Sequence, residues 1–553
     1  MTTAETSIPG GSEKKGFTQK MLDGIETLGN KVPHPVMMFL YLIIFVIVLS
    51  HILYLMGVSV TDQIAVQEPQ EVGMNYYQNT TAPGVVNPNE PYDQHYSIQT
   101  RTIAIKSLLT VEGLRFLFSS FVRNFQGFGV VAVTFIAMMG AGAAEGAGLM
   151  SAMIRKLVQI APRRLIAFFL IFVGVLSSVA SDAGYLILIP LGAAAFLSLR
   201  RHPLAGMAAA FAGVGAIFGV NLLLTPIDSM LTEITNEAIG LVGGTPLTIV
   251  ANYFFAVVAS IVIAIVATIV TERVIEPRLG VYKPEDGSEV DTGGSDDQLT
   301  PAENRGLKFA FFGLLGVVVL VSLLTFPPGA PLRDPKTGSI IGVTPFMDSL
   351  LFIITLIFLV SGICYGIGAG TVKSSNDVIK SITKTFSGLA GLVFMLLMIS
   401  QFIAYFNYTQ MPTVVAIAMA EALEKANIGV VPLLAGLILV IMILTIIIPG
   451  VIPKWAIFAP VFIPIFYRLG VAPQTVLAAY RVGDSPVNVI TPLMVYLPFV
   501  VTIAQRYQKK AGLGTIVALM LPYTLAIAVV WIVLFLLWVV LGIPLGPGYP
   551  VGA

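Results

Sequence analysis

Between Thr445 and Pro492 an otherwise apolar stretch carries Lys454, Trp455, Arg481, Asp484, Asn488 and Thr491, interrupted by Pro449, Pro453, Pro460, Pro464 and Pro473. A guanidinium can hold a carboxylate through two parallel hydrogen bonds, and an indole can stack on an aromatic ring. Asn488 and Thr491 could orient whatever lies between them, and Thr445 could donate one hydrogen bond. Ionisable groups at membrane depth are costly and face a cavity or a partner, and irregular backbone there survives only where protein or water satisfies it. These residues therefore imply a solute site at 445–492. Two plainer readings stand beside it: Arg481 in a buried ion pair with Asp484, and Trp455 in an interfacial aromatic belt.

A second polar interruption, SSVASDAGY at 177–185, holds Asp182 between apolar runs. Near a desolvated cavity its carboxyl could exchange a proton, or stay ionised and hold sodium with backbone carbonyls. A charged residue at a loop end is the alternative. Asp182, Asn221 and Asn488 are the cation-coupling candidates, with sodium or a proton as the coupling ion and no cofactor.

The two stretches are related. Advancing residues 190–213 by 270 places Pro190, Phe196, Pro203, Ala208, Ala209 and Gly213 on identical residues at Pro460, Phe466, Pro473, Ala478, Ala479 and Gly483, and Tyr185 on Trp455. Paired interrupted apolar segments in two halves point to the binding site of a secondary transporter.

The elements that position these residues are membrane-spanning. The 553 residues are 56% hydrophobic and 11% charged, with a mean hydropathy of +0.88, the composition of an all-α polytopic membrane protein. A net charge of +1 with no basic arm gives no sign of a nucleic-acid partner, and the single Cys364 allows no disulfide framework. His34, His51, His95 and His202 form no H-E-x-x-H, no P-loop is present, and no enzyme is expected.

In chain order we expect a cytoplasmic polar amino terminus at 1–34, and a first transmembrane half at 35–270 with an external polar insert at 57–107. A flexible cytoplasmic linker at 271–305 leads to a second half at 306–545. About nine spans should leave the carboxyl terminus outside. Re-entrant hairpins are expected at about 127–158, with its tip at the Gly-rich 140–146 around Glu145, and at about 385–425, near Gln401, Asn407 and Thr409. One long, tightly packed helix is the other reading of the first, and helix-end capping the other reading of the second.

The motifs SSVASDAGYLILIPL at 177–191, NLLLTPIDSMLTEITNEA at 221–238, SQFIAYFNYTQ at 400–410, KWAIFAPVFIPIF at 454–466 and YRVGDSPVNVITPLMVY at 480–496 resemble those of the aminobenzoyl-glutamate transporter (AbgT) family. The resemblance implies a homodimer in the inner membrane, each protomer with nine spans and two re-entrant hairpins in an inverted repeat, and a bowl open to the cytoplasm. It implies ion-coupled transport of p-aminobenzoyl-glutamate-like folate metabolites and, in some members, export of sulfonamide antimetabolites. Asp182, Trp455, Pro473 and Arg481 match the positions expected to act in transport. Ile452-Pro453 stand where Ser-Ala is usual, and Thr445 where Asn is expected. A sodium-coupled carboxylate importer is the alternative function.

Overall fold

The computed structural model describes residues 35–67, 96–178, 184–283, 299–341, 344–425, 429–448, 450–491 and 493–552. The amino-terminal 1–34, the middle of the external insert, residues 284–298 of the 271–305 linker, and Asp182 lie outside the described residues. What is described is almost entirely helical; the exception is an antiparallel pair in the insert, Ser59–Gln67 with Tyr96–Ala104. Among the described residues, eight helices are long and apolar enough to cross a membrane, and nine if the pair Leu149–Gln159 and Arg163–Ser177, bent by 110°, forms one span. The expected polytopic all-α class is therefore observed.

The hairpins are not where the Gly-rich and polar tips suggested. Gly129–Ala147 is one continuous helix through 140–146, ending at Gly148 in the left-handed conformation (φ 91°), with Glu145 exposed in its last turn. A Cβ on Gly140, Gly142 or Gly146 would collide with Thr355, Thr385 or Ser381 respectively. These glycines let neighbouring helices approach and do not bend the chain. Ala390–Tyr408 likewise runs unbroken past Ser400. Gln401 there donates to Phe121 O and accepts from Asn124, both 2.9 Å, which ties two helices together.

Among the described residues the helices stop at Ser178 and resume at Gly184, and stop at Ile447, with Ile448 extended, and resume at Val451. Ile166–Ser177 and the helix from Gly184 to Ser198 form one broken pair, and Val430–Ile447 and Val451–Arg468 the other. In the first pair each arm is too short to span. Its outer ends carry Arg163 and Arg164 on one arm and Arg200 and Arg201 on the other, so the pair re-enters from one face. After each pair comes a helix interrupted midway, Pro203–Ala216 then Pro226–Ile239, and Pro473–Asp484 then Leu497–Tyr507. A long helix closes each half, Tyr253–Leu279 and Leu513–Val540.

The halves are inverted. At one end of Tyr253–Leu279, Asn252 donates to Gln474 O just past the second hairpin (2.8 Å). At the other end, Glu276 takes two hydrogen bonds from Arg201 just past the first (2.7 and 2.6 Å). Some 27 helical residues, at 1.5 Å rise each, separate the two outer ends, so the hairpins enter from opposite faces. The first hairpin packs closely on its broken helix: a Cβ on Gly192 would lie 2.6 Å from Gly206 O. The Pro301–Thr325 helix stands at the periphery with Phe311, Phe312 and Leu323 exposed, a face suited to lipid.

Candidate functional site

The helix Pro473–Asp484 is fully buried and carries the polar chemistry. Pro473 occupies its first turn, where a missing N–H costs nothing and the fixed φ favours helix entry. Three residues apart, Arg481 and Asp484 share one side of the helix, yet they do not pair with each other. Arg481 forms an ion pair with Asp228 at the start of Pro226–Ile239, and donates to Gly219 O at 3.2 Å. Asp484 pairs with Lys454, and its Oδ1 accepts from the Thr445 hydroxyl at 2.9 Å. Lys454 Nζ lies 3.0 Å from the same hydroxyl. Lys454, Asp484 and Thr445 are each 1% exposed. One helix therefore clasps the first half through Arg481 and the second hairpin through Asp484. The plainer reading of an Arg481–Asp484 pair gives way to two pairs with distant partners.

Asp228 has a second duty. Its Oδ2 accepts from the Thr225 N–H and hydroxyl, both 2.7 Å, closing a capping box on its own helix. That helix end is thus already occupied by a carboxylate.

Trp455 is fully buried, stacked on Tyr480 at 4.5 Å, and donates its indole N–H to Thr235 at 2.9 Å. Tyr480 in turn donates to Val451 O. The indole is neither a belt residue nor open to a guest; it braces the start of Val451–Arg468 from behind. Thr491 donates to Ile446 O (3.0 Å) at the end of the other hairpin arm. Asn221 donates to Val175 O and Ser178 Oγ and accepts from Leu223 N–H, so its amide holds the first break together.

Between the halves lies a cavity of about 390 Å³. Its aromatic wall is Tyr185 stacked on Tyr496, centroids 4.2 Å apart and nearly parallel at 11°. Ser178 and Asn488 supply side-chain polar groups, and Asn488 also reaches Gly215 O at 3.2 Å. Gly450, Val451 and Ile452 border it at the start of the second hairpin's second arm. That helix end has no side-chain cap, and Gly450 sits at φ 85°. The first backbone N–H groups of that helix lack partners within it, and the positive end of its dipole lies at residues that border the cavity.

The sequence profile of the AbgT putative transporter family matches residues 20–552. The chain belongs to the AbgT family. It is 31% identical over 550 residues to the p-aminobenzoyl-glutamate transport protein of Escherichia coli K12, covering 99% of each. Among solved structures it resembles the YdaH transporter of Alcanivorax borkumensis, with TM-score 0.81 and 34% identity over 93% of this chain and all of that one. It also resembles MtrF of Neisseria gonorrhoeae, described as illuminating a class of antimetabolite efflux pumps, with TM-score 0.83 and 35% identity over 96% of this chain and all of that one. This AbgT protein is a membrane transport protein and not an enzyme.

Within this AbgT chain, only Asn488 of the residues singled out at 445–492 lines the cavity, together with Ile452 of the Ile-Pro departure. Asp182 lies outside the described residues, between Ser178 and Tyr185, which both line it. The tyrosine pair was not expected as a site. Its signal was the match of Tyr185 to Trp455 under the 270-residue repeat, which marks an aromatic at equivalent places in both halves.

Proposed function

We propose that this protein carries p-aminobenzoyl-glutamate-like folate metabolites, and sulfonamide antimetabolites outward, through the cavity between its two hairpin breaks, coupled to a sodium or proton gradient. The observation that carries this is the uncapped helix end at Gly450 facing the stacked Tyr185–Tyr496 pair in one cavity. An aryl amide with carboxylates needs a flat aromatic wall, an amide partner and a site for negative charge. The tyrosines supply the wall, Asn488 the amide, and the N–H groups at Val451 and Ile452 the anion site. About 390 Å³ falls in the range of roughly 300–1,000 Å³ common for small-molecule sites. The substrate of the Escherichia coli relative and the efflux described for MtrF support the same reading.

In this reading Arg481, Trp455, Pro473, Thr445 and Thr491 act behind the wall, holding the two halves in register. A carboxylate reaching Arg481 meets a buried Nε without a hydrogen-bond partner, and competes with Asp228 only for Nη1. Asp182 is the coupling group, placed by sequence between two cavity residues. The protein works as a homodimer with its amino terminus inside and carboxyl terminus outside, as the basic turns indicate.

The test is flux of p-aminobenzoyl-glutamate in proteoliposomes with sodium and proton gradients imposed separately. Accumulation follows one gradient in the wild type, and Asp182→Asn keeps counterflow while losing gradient-driven accumulation. Absence of counterflow in the wild type would refute the reading.

A further inference from the structure

A second, smaller cavity of about 200 Å³ lies between the Pro226–Ile239 helix and the start of the Leu350–Ala369 helix, beside the 247–249 loop. Its polar lining includes Ser229, Thr232 and Glu233 from the first helix and Asp348 from the short turn Pro345–Asp348 preceding the second. Among the described residues no basic side chain lines it. Neither carboxylate has an ion-pair partner among the described residues; Glu233 takes only a long contact of 3.5 Å from Asn236. The Glu233 carboxylate also lies against Gly129 at the start of the neighbouring helix, where a Cβ would strike it.

Ser229 supplies an independent sign. It is 5% exposed, lines the cavity, and its hydroxyl has no hydrogen-bond partner. A buried hydroxyl left unpaired costs free energy unless something absent from the polypeptide completes it. Asp348 is exposed, so the cavity has a charged mouth, while Ser229 and Thr232 stand on its buried side. Thr248 on the rim is fixed by Tyr549, whose hydroxyl accepts from its N–H and donates to its side chain.

We propose that Glu233 and Asp348, with the Ser229 and Thr232 hydroxyls, bind a hard divalent cation of the calcium or magnesium type that keeps part of its water shell. Two carboxylates and two hydroxyls are an all-oxygen set whose charge such an ion neutralises, and both ions complete their coordination with water. A volume of about 200 Å³, several times the roughly 30 Å³ share of one water, leaves room for those waters. The ion joins two elements that otherwise touch sparingly. One carries Asp228, the partner of Arg481, and borders the main cavity through Pro226 and Ile227; the other is the turn Pro345–Asp348 that leads into Leu350–Ala369. Bound cation therefore restrains the helix that edges the transport cavity.

The experiment is thermal unfolding of the full-length detergent-purified protein after chelation, on adding calcium, magnesium, or sodium chloride at matched ionic strength. A divalent ion raises the unfolding temperature saturably. Asp348→Asn and Glu233→Gln each weaken the apparent affinity about tenfold or more, roughly 1.4 kcal/mol per factor of ten, and Ser229→Ala weakens it less. Asp348 is exposed, so its variant retains the fold and keeps the test decisive even if Glu233→Gln does not. No divalent-specific rise, a rise matched by sodium, or a rise unchanged in Asp348→Asn would overturn the assignment.

Discussion

Arg481→Ala lowers stability by about 3–5 kcal/mol, because removing one partner of a buried ion pair leaves the other charge unpaired, and it abolishes transport. The partner left behind is Asp228, whose other oxygen caps the Pro226–Ile239 helix. Asp228→Asn keeps a capping side chain, so combining it with Arg481→Met removes both charges and spares the cap. The double variant recovers most of the lost stability, since replacing a buried pair by neutral groups of similar size is often close to neutral. It still fails to transport if Arg481 exchanges Asp228 for a substrate carboxylate during the cycle. Thermal unfolding of the three proteins, with flux measured on the same preparations, separates the two roles. A double variant that transports normally would make the pair purely architectural.

The second large effect is at Lys454. Lys454→Met leaves the Asp484 carboxylate, 1% exposed, with the Thr445 hydroxyl as its remaining side-chain partner among the described residues, and costs about 3–5 kcal/mol on the same argument. The hole left at the ammonium is lined by a carboxylate and a hydroxyl, donors suited to a hard monovalent cation. The unfolding temperature of Lys454→Met consequently rises with sodium more steeply than that of the wild type, where the tethered ammonium already fills the place. Lys454→Met with Asp484→Asn removes both the instability and the sodium dependence. Equal sodium response in wild type and Lys454→Met would show that the ammonium does not hold a cation's place.

The class of fold was readable because apolar runs of span length are a composition signal that needs no tertiary knowledge. The repeat was readable because both hairpins end on Pro, Phe, Leu and Pro in the same order, from Pro190 to Pro203 and Pro460 to Pro473. The hairpin positions were not, since glycines at 140–146 serve helix contact and glycine at 450 serves a break, and residue type alone does not distinguish those uses. Polar residues in apolar surroundings were correctly seen to need partners. Which partners could not be read: Asp484 stands three residues from Arg481, whereas Asp228 is 253 residues away and reaches it only through the fold. Hence the charged residues turned out to be the clasp, and the cavity wall fell to Tyr185 and Tyr496.

The most direct test of a solute cavity between the two breaks is substrate protection at Ser178. In a background carrying Cys364→Ala, which removes the single native thiol, Ser178→Cys places one reactive group on the cavity wall. Saturating p-aminobenzoyl-glutamate slows alkylation of that thiol in transport-competent proteoliposomes. Alkylation at the same rate with and without substrate, while counterflow proceeds, would place the transported molecule elsewhere and contradict the account.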